Sequence, residues 1–252
     1  MKRSLVGTTI KPLKPSSKPL YQQVKKHLVH RVLTGEWQPG HLLPSEIRLA
    51  GEYELSQGTV RKAIEEMASE GLVTRRAGKG TFVTSHNGDY QPFRFHRLFT
   101  DSGEKVVNDR ATLLHNRITN ADRRIAAALD LTPGAEGSEI CRLRRLHDRP
   151  ALVETIFLPS SLCPEAATLL AETNPGSVYL FLEQQYNLLI TRVLEQVRAR
   201  HPTAEEAGYL EIDPSTPVLE VERTAFSLGG VAVEWRTIVG MTESMHYRNE
   251  VS

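Results

Sequence analysis

Two domains of the α+β class are predicted for this 252-residue chain, and three observations carry the prediction. The charge is divided. Residues 1–85 hold 14 Lys and Arg against 7 Asp and Glu, a net +7, whereas residues 86–252 hold 17 against 23, a net −6. The hydrophobic period shifts from near four residues to near two at about residue 93. Between these textures lies the polar, turn-rich stretch Ser85-His86-Asn87-Gly88-Asp89-Tyr90-Gln91-Pro92, which reads as a linker. A basic first third on an acidic remainder points to two jobs in one chain, the first facing something negative. The expected divisions are a flexible basic arm over 1–17, a first domain over 18–86, a linker over 87–92, a second domain over 93–246 and a tail over 247–252.

The first domain reads as three helices and a hairpin. From Pro19, which suits a first helical turn, Leu20, Val24, Leu28 and Val32 recur every four residues until Gly35 and Pro39-Gly40 stop the pattern. Ser45 caps a short second helix, to which Ile47, Leu49 and Ala50 are expected to supply apolar contacts. Ser56 caps a third, whose apolar stripe Val60, Ala63, Ile64 and Met67 ends at Gly71, a C′ residue. Val73 to Arg76, the glycine-rich Ala77-Gly78-Lys79-Gly80 and Thr81-Phe82-Val83 then read as strand, turn and strand. Trp37 and Tyr21 read as core packing.

In the second domain, alternation predicts strands over 93–99, 106–114, 139–147, 152–158, 188–199, 218–226 and 231–239. Asp148-Arg149-Pro150 and Leu228-Gly229-Gly230 read as hairpin turns. Helices are expected over 121–129 with Asn120 as cap, near 164–172, over 178–186 and over 203–209. Strand runs mixed with separated helices, rather than strict βαβ alternation, predict a largely antiparallel sheet.

Composition excludes several classes. With 40% hydrophobic and 24% charged residues the chain is neither collagen-like nor wholly disordered. Cys141 and Cys163 form no CxxC and have no histidine at ligand spacing, so neither a disulfide framework, a metal site nor any cofactor is expected. The basic start lacks an apolar run behind it, and no segment is long enough to span a bilayer, so a cytoplasmic protein with no membrane partner is expected.

Three helices followed by a basic hairpin make a winged helix-turn-helix, with a turn of about four residues around Glu54-Leu55 between the second and third helices. The inward stripe of the third helix leaves Gln57, Gly58, Thr59, Arg61 and Lys62 near its exposed N-terminal turn, where a recognition helix meets base edges. Arg75, Arg76 and Lys79 on the wing, beside Gly80, are placed to reach the backbone or minor groove of double-stranded DNA. Arg61-Lys62 followed by Glu65-Glu66 also fits a solvated helix face with i,i+4 pairs.

These residues carry a resemblance. Pro19 to Val24, Gly35 to Gly40, Leu43-Pro44-Ser45-Glu46, Ser56 to Ala63 and Gly78 to Val83 together resemble the N-terminal domain of GntR-type bacterial transcription regulators. The resemblance adds Ser45, Arg48 and Ser56 to the DNA-contact candidates. Many members carry Arg directly after the Pro-Ser-Glu and again directly after the Ser that opens the recognition helix; here those positions are Ile47 and Gln57. Either Gln57 reads adenine through its amide, or the work passes to Arg48, Arg61 and the wing.

In the second domain, strand alternation puts Arg142 and Arg144 on one face and Arg145 on the other, with Glu154 across the hairpin. Glu234 and Arg236 share a face, with Trp235 opposite. The residues allow two readings: a place for a small polar or anionic ligand, or outward cross-strand ion pairs. Phe93 to Leu98, Arg142 to Arg145 leading to Glu154 to Pro159, and Glu222 to Phe226 leading to Glu234-Trp235-Arg236 resemble a UTRA effector-binding domain, the sensor of the HutC-type branch. The resemblance implies effector contacts from Arg142, Arg144 and Glu154 with Glu234 behind them; an aromatic frequent six residues after that last Glu is Gly240 here. It further implies a homodimer on a pseudo-palindromic operator, with affinity set by the effector. The competing classes are a ligand-independent DNA-binding protein and, because the UTRA fold resembles chorismate lyase, an enzyme. Against catalysis, the sequence has no HExxH, and Gly78-Lys79-Gly80 sits in a hairpin rather than in a phosphate-binding loop.

Overall fold

The computed structural model describes residues 18–85, 95–106, 111–243 and 245–250. The expected arm over 1–17 and linker over 87–92 lie outside these residues. Two compact units divide at Ser85 and His86.

The first unit contains α1 (Leu20–Leu33), α2 (Glu46–Tyr53) and α3 (Gln57–Ser69), followed by β1 (Val73–Arg76) and β2 (Gly80–Val83). Each boundary has a local cause. Ser45 accepts the Arg48 N–H at 3.2 Å and Ser56 accepts that of Thr59 at 3.2 Å, so both helices are capped by their own preceding serine. Glu54, left-handed at φ 55°, ends α2 and opens the turn into α3. Gly71 at φ 70° reverses the chain after α3. Val24, Leu28, Leu49, Val60, Ile64 and Met67 meet in a common core. β1 and β2 pair antiparallel, and Leu42 bridges to Phe82 beside them.

The second unit is built on a six-stranded antiparallel sheet in the order β4-β5-β6-β9-β8-β7. Its strands are β4 (Thr112–Asn120), β5 (Glu136–Leu146), β6 (Arg149–Pro159), β7 (Ile190–Arg200), β8 (Val218–Ser227) and β9 (Ala232–Met241). A separate ribbon pairs β3 (Leu98–Thr100) with β10 (Met245–Tyr247). Four helices complete the unit: α4 (Arg123–Leu129), α5 (Ala166–Thr173), α6 (Val178–Tyr186) and α7 (Ala204–Leu210).

The sheet is covered on both faces. On one, Ile140, Ile156 and Leu158 pack against α5 and α6, and Leu152, Val221 and Ile238 pack against the ribbon. On the other, Phe157 and Trp235 meet α4, and Leu143, Val153 and Val239 meet α7. Close packing shows at Gly137, where an added Cβ would stand 2.2 Å from the Phe157 ring.

Several expectations are corrected. Asn120 is the last residue of β4, not a cap; Asp122 caps α4 by accepting the Ile125 N–H at 2.7 Å. The strand expected over 106–114 runs instead over Thr112–Asn120, partly outside the described residues at its start. As the sheet's edge it is half exposed with polar residues on both sides, so alternation is weak there. The β5–β6 turn is His147-Asp148, both left-handed at φ 48° and 63°, whereas Arg149 and Pro150 already pair with Leu146 and Arg145. β10 had no strand signal because it is only three residues long.

Candidate functional site

On the first unit, Glu46 ties together three of the residues singled out, Gln57, Arg61 and Arg75. Its carboxylate accepts from Arg61 Nε at 2.9 Å, from Arg75 Nη2 at 3.3 Å and, more weakly, from Gln57 Nε2 at 3.5 Å. One carboxylate on the first turn of α2 thus links the recognition helix and the wing. Lys62 lies over the Tyr21 ring at 4.2 Å, so Tyr21 is half-exposed beneath a cation, whereas Trp37 is buried in the core under Arg31. Arg48 is largely exposed and 3.5 Å from Glu52. Lys79 and Gly58 are exposed, Thr59 half-buried, and Arg76 half-buried against Phe82 at 4.6 Å. Gly80, at φ +108°, has no room for a side chain, since a Cβ would lie 2.7 Å from Leu42. Ser45 and Ser56 serve as caps.

In the second unit the arginines are buried, which rules out outward-facing ion pairs. Arg142, Arg144, Glu154, Glu234 and Arg236 are all at most 5% exposed. Glu154 is the hub: it receives Arg142 Nη2 at 2.8 Å, Arg144 Nε at 3.0 Å and Arg236 Nη1 at 3.4 Å. Burial alone would raise its pKa, but Arg144, Arg142 and Arg236 outweigh that and hold the carboxyl well below the usual range. Arg236 also pairs with Glu234, which together with Tyr179 and Glu154 outweighs desolvation and keeps the guanidinium firmly charged.

These groups wall a narrow cavity of about 30 Å³ that opens to the surface. Arg144, Arg236 and Glu154 line it; Arg142 and Glu234 do not. Arg142 instead turns its guanidinium to Glu154 and to the Pro175 carbonyl at 3.0 Å, and so braces the segment before α6. The cavity also contains groups that sequence reasoning missed: Arg223 from β8, His96 and Tyr179, with Gly176-Ser177-Val178 at the start of α6. Arg223 is held by Glu195 at 2.8 Å and by the Phe95 carbonyl at 2.6 Å. Burial, reinforced by Arg223, pushes His96 down to about 3, so it is neutral at physiological pH. The wall presents three guanidinia and one carboxylate, with Glu234 paired to Arg236 and Glu195 paired to Arg223. Gly240 lies on β9 against Leu152, and a Cβ there would come within 2.5 Å of it, so the strand has no space for an aromatic.

A helix-turn-helix with a basic surface, carried beside a separate domain with a polar cavity, defines a DNA-binding regulator that senses a small molecule. The comparisons place it more closely. Residues 20–83 match the family described as bacterial regulatory proteins, gntR family, and residues 108–245 match the UTRA domain. The chain belongs to the GntR family, in the branch that carries a UTRA effector-binding domain. It is 29% identical over 222 residues to the transcriptional repressor NagR of Bacillus subtilis, covering 88% of this chain and 90% of that one. It is 28% identical over 215 residues to the histidine utilization repressor of Pseudomonas aeruginosa, covering 85% and 84%. Among solved structures, the ligand-binding domain of a GntR-family regulator from Bordetella bronchiseptica superimposes with a TM-score of 0.59 at 26% identity, over 64% of this chain and 99% of that one. The protein is a transcriptional regulator rather than an enzyme, as its family and these relatives are. Among the described residues no helix is long and apolar enough to cross a membrane.

Proposed function

We propose that the protein is a homodimeric repressor whose grip on a pseudo-palindromic operator is controlled by a small anionic metabolite in the arginine cavity. The observation that carries this reading is the wall itself, with Arg144, Arg223 and Arg236 facing one carboxylate, Glu154. Guanidinia held in fixed positions by carboxylates and backbone carbonyls form a preorganised receptor for a carboxylate or phosphate. The start of α6, where Ser177 caps the helix, adds backbone N–H groups on the same wall.

On the DNA side, Arg61, Lys62, Gln57 and Thr59 of α3 enter the major groove. Arg75, Arg76 and Lys79 of the wing, with Arg48, take phosphates. Two copies fit the twofold symmetry of an operator with half-sites about one helical turn apart. An 11-residue strand at the sheet edge, β7, exposes Leu194 and Val197, the kind of edge that a second copy can cover. Effector and operator are linked: whatever factor the effector takes from operator affinity, DNA takes from effector affinity.

Fluorescence anisotropy with full-length protein and the DNA upstream of its own gene, at two salt concentrations, tests this. Tight, salt-sensitive, competitor-resistant binding is expected, and anionic metabolites are then screened for release. Arg144→Ala should bind the operator normally and lose release. Unaltered release by Arg144→Ala would remove the cavity assignment, and a melting temperature that no metabolite shifts would favour a ligand-independent DNA-binding protein.

A further inference from the structure

Helix α2 buries Leu49, Ala50 and Tyr53 in the core but turns Ile47 outward. At 71% exposure Ile47 is the most exposed large apolar side chain among the described residues. It does not stand alone: Ile47 and the half-exposed Leu42 line a groove bounded by Gln57 at the start of α3 and by Lys79 and Gly80 at the wing tip. Its charged lining residues are one cation, Lys79, and one carboxylate, Glu46. Gln57 leans on Glu46, the neighbour of Ile47, and the same carboxylate gathers Arg61 and Arg75.

An apolar knob beside a lysine and an amide, with two arginines drawn to the neighbouring carboxylate, calls for an occupant that is negative overall yet offers apolar groups at fixed points. Duplex DNA fits that description, because its phosphates are anionic and the thymine C5-methyl is an apolar group on the floor of the major groove. Resting on the reading that α3 enters that groove, we propose that Ile47 is a base-reading residue that packs on a thymine methyl. Gln57, beside it, pairs with an adenine. Each operator half-site therefore carries at least one A·T pair whose thymine methyl lies under α2. Specificity at this point comes from α2 as well as from α3.

The test removes the methyl group without disturbing base pairing. Full-length protein first selects its site from random duplexes. Each thymine of the selected half-site is then replaced in turn by deoxyuridine, and affinity is read by anisotropy. In the wild type, one position per half-site should lose about fourfold, the value of one buried methyl group. Ile47→Ala should bind the thymine duplex about fourfold or more weakly and show no difference between thymine and deoxyuridine at that position, with an unchanged melting temperature. A selected operator with no methyl-sensitive position, or an Ile47→Ala variant that keeps the wild-type sensitivity, overturns the role of Ile47 and leaves the DNA reading standing. Loss of dimer in Ile47→Ala would overturn it too, since the exposed side chain would then serve a contact between copies. Failure of the wild type to enrich any sequence would overturn the DNA reading itself.

Discussion

Both domains gather arginines around a glutamate, and they do so in opposite media. In the first, Glu46 holds Arg61 and Arg75 at the surface, where the arginine side chains are 53% and 43% exposed. In the second, Glu154 holds Arg142, Arg144 and Arg236 with side-chain exposures of 2%, 5% and 6%. Water decides what each cluster can do. Exposed guanidinia lose little when they leave Glu46 for a phosphate, so the surface serves a polyanion and responds to salt. Buried guanidinia cannot leave Glu154 cheaply, because Arg142 and Arg144 would keep only backbone carbonyls, and Arg236 only Glu234, in a low-dielectric interior. In the function proposed above, the inner cluster is a rigid receptor that a ligand must meet as it stands.

The sharpest way to break this comparison is to delete each hub. Glu154→Ala leaves three buried cations without their shared counter-charge and should cost about 3–5 kcal/mol of unfolding free energy, read by urea titration. Should Glu154→Ala unfold with the wild-type midpoint, the inner cluster is not the tightly coupled unit described here.

A pH titration probes the same burial. His96 accepts a proton near 6.5 in the unfolded chain but only near about 3 when folded among Arg223, Arg144 and Arg236. Between those values the unfolded state binds more protons, so stability is full above about 6.5 and falls as pH drops towards 3. The limiting slope is about 1.4 kcal/mol per pH unit, or about 2 kcal/mol by pH 5. His96→Asn should flatten that segment in melts between pH 7 and 5; an unchanged slope would place the proton elsewhere.

Smaller effects belong to the outer cluster. Arg61→Ala should weaken operator binding about tenfold, lower the salt slope by about one and leave the melting temperature alone. A slope that does not move would take Arg61 off the DNA. Smallest of all, Glu46→Ala should change stability by no more than about 1 kcal/mol, because its arginine partners are solvent-exposed. A loss near that of Glu154→Ala would erase the contrast between the two domains.

Much of this was legible in the chain. The stripe Val60, Ala63, Ile64, Met67 defined α3, and its caps and the wing turn followed from Ser56, Gly71 and Gly78. That Arg142, Arg144 and Glu154 share a face followed from strand alternation, whereas the direct pairing of Arg142 with Glu154 needed the register set by the His147-Asp148 turn. Arg223 and His96 were not picked out for the site because they reach the cavity from distant segments. Arg223 stands opposite Arg236 only through the β8–β9 register, and His96 enters from the segment before β3.

The sequence by itself determined the helices and hairpin of the first unit, the largely antiparallel sheet of the second and the family, because periodicity, caps and turn chemistry act over a few residues. Only the tertiary structure decided that Arg142 braces the cavity while Arg223 lines it, and that Ile47 is exposed beside Gln57. Such outcomes depend on which side chains different elements place in contact and on how much water packing leaves between them. No local stretch of the chain encodes that.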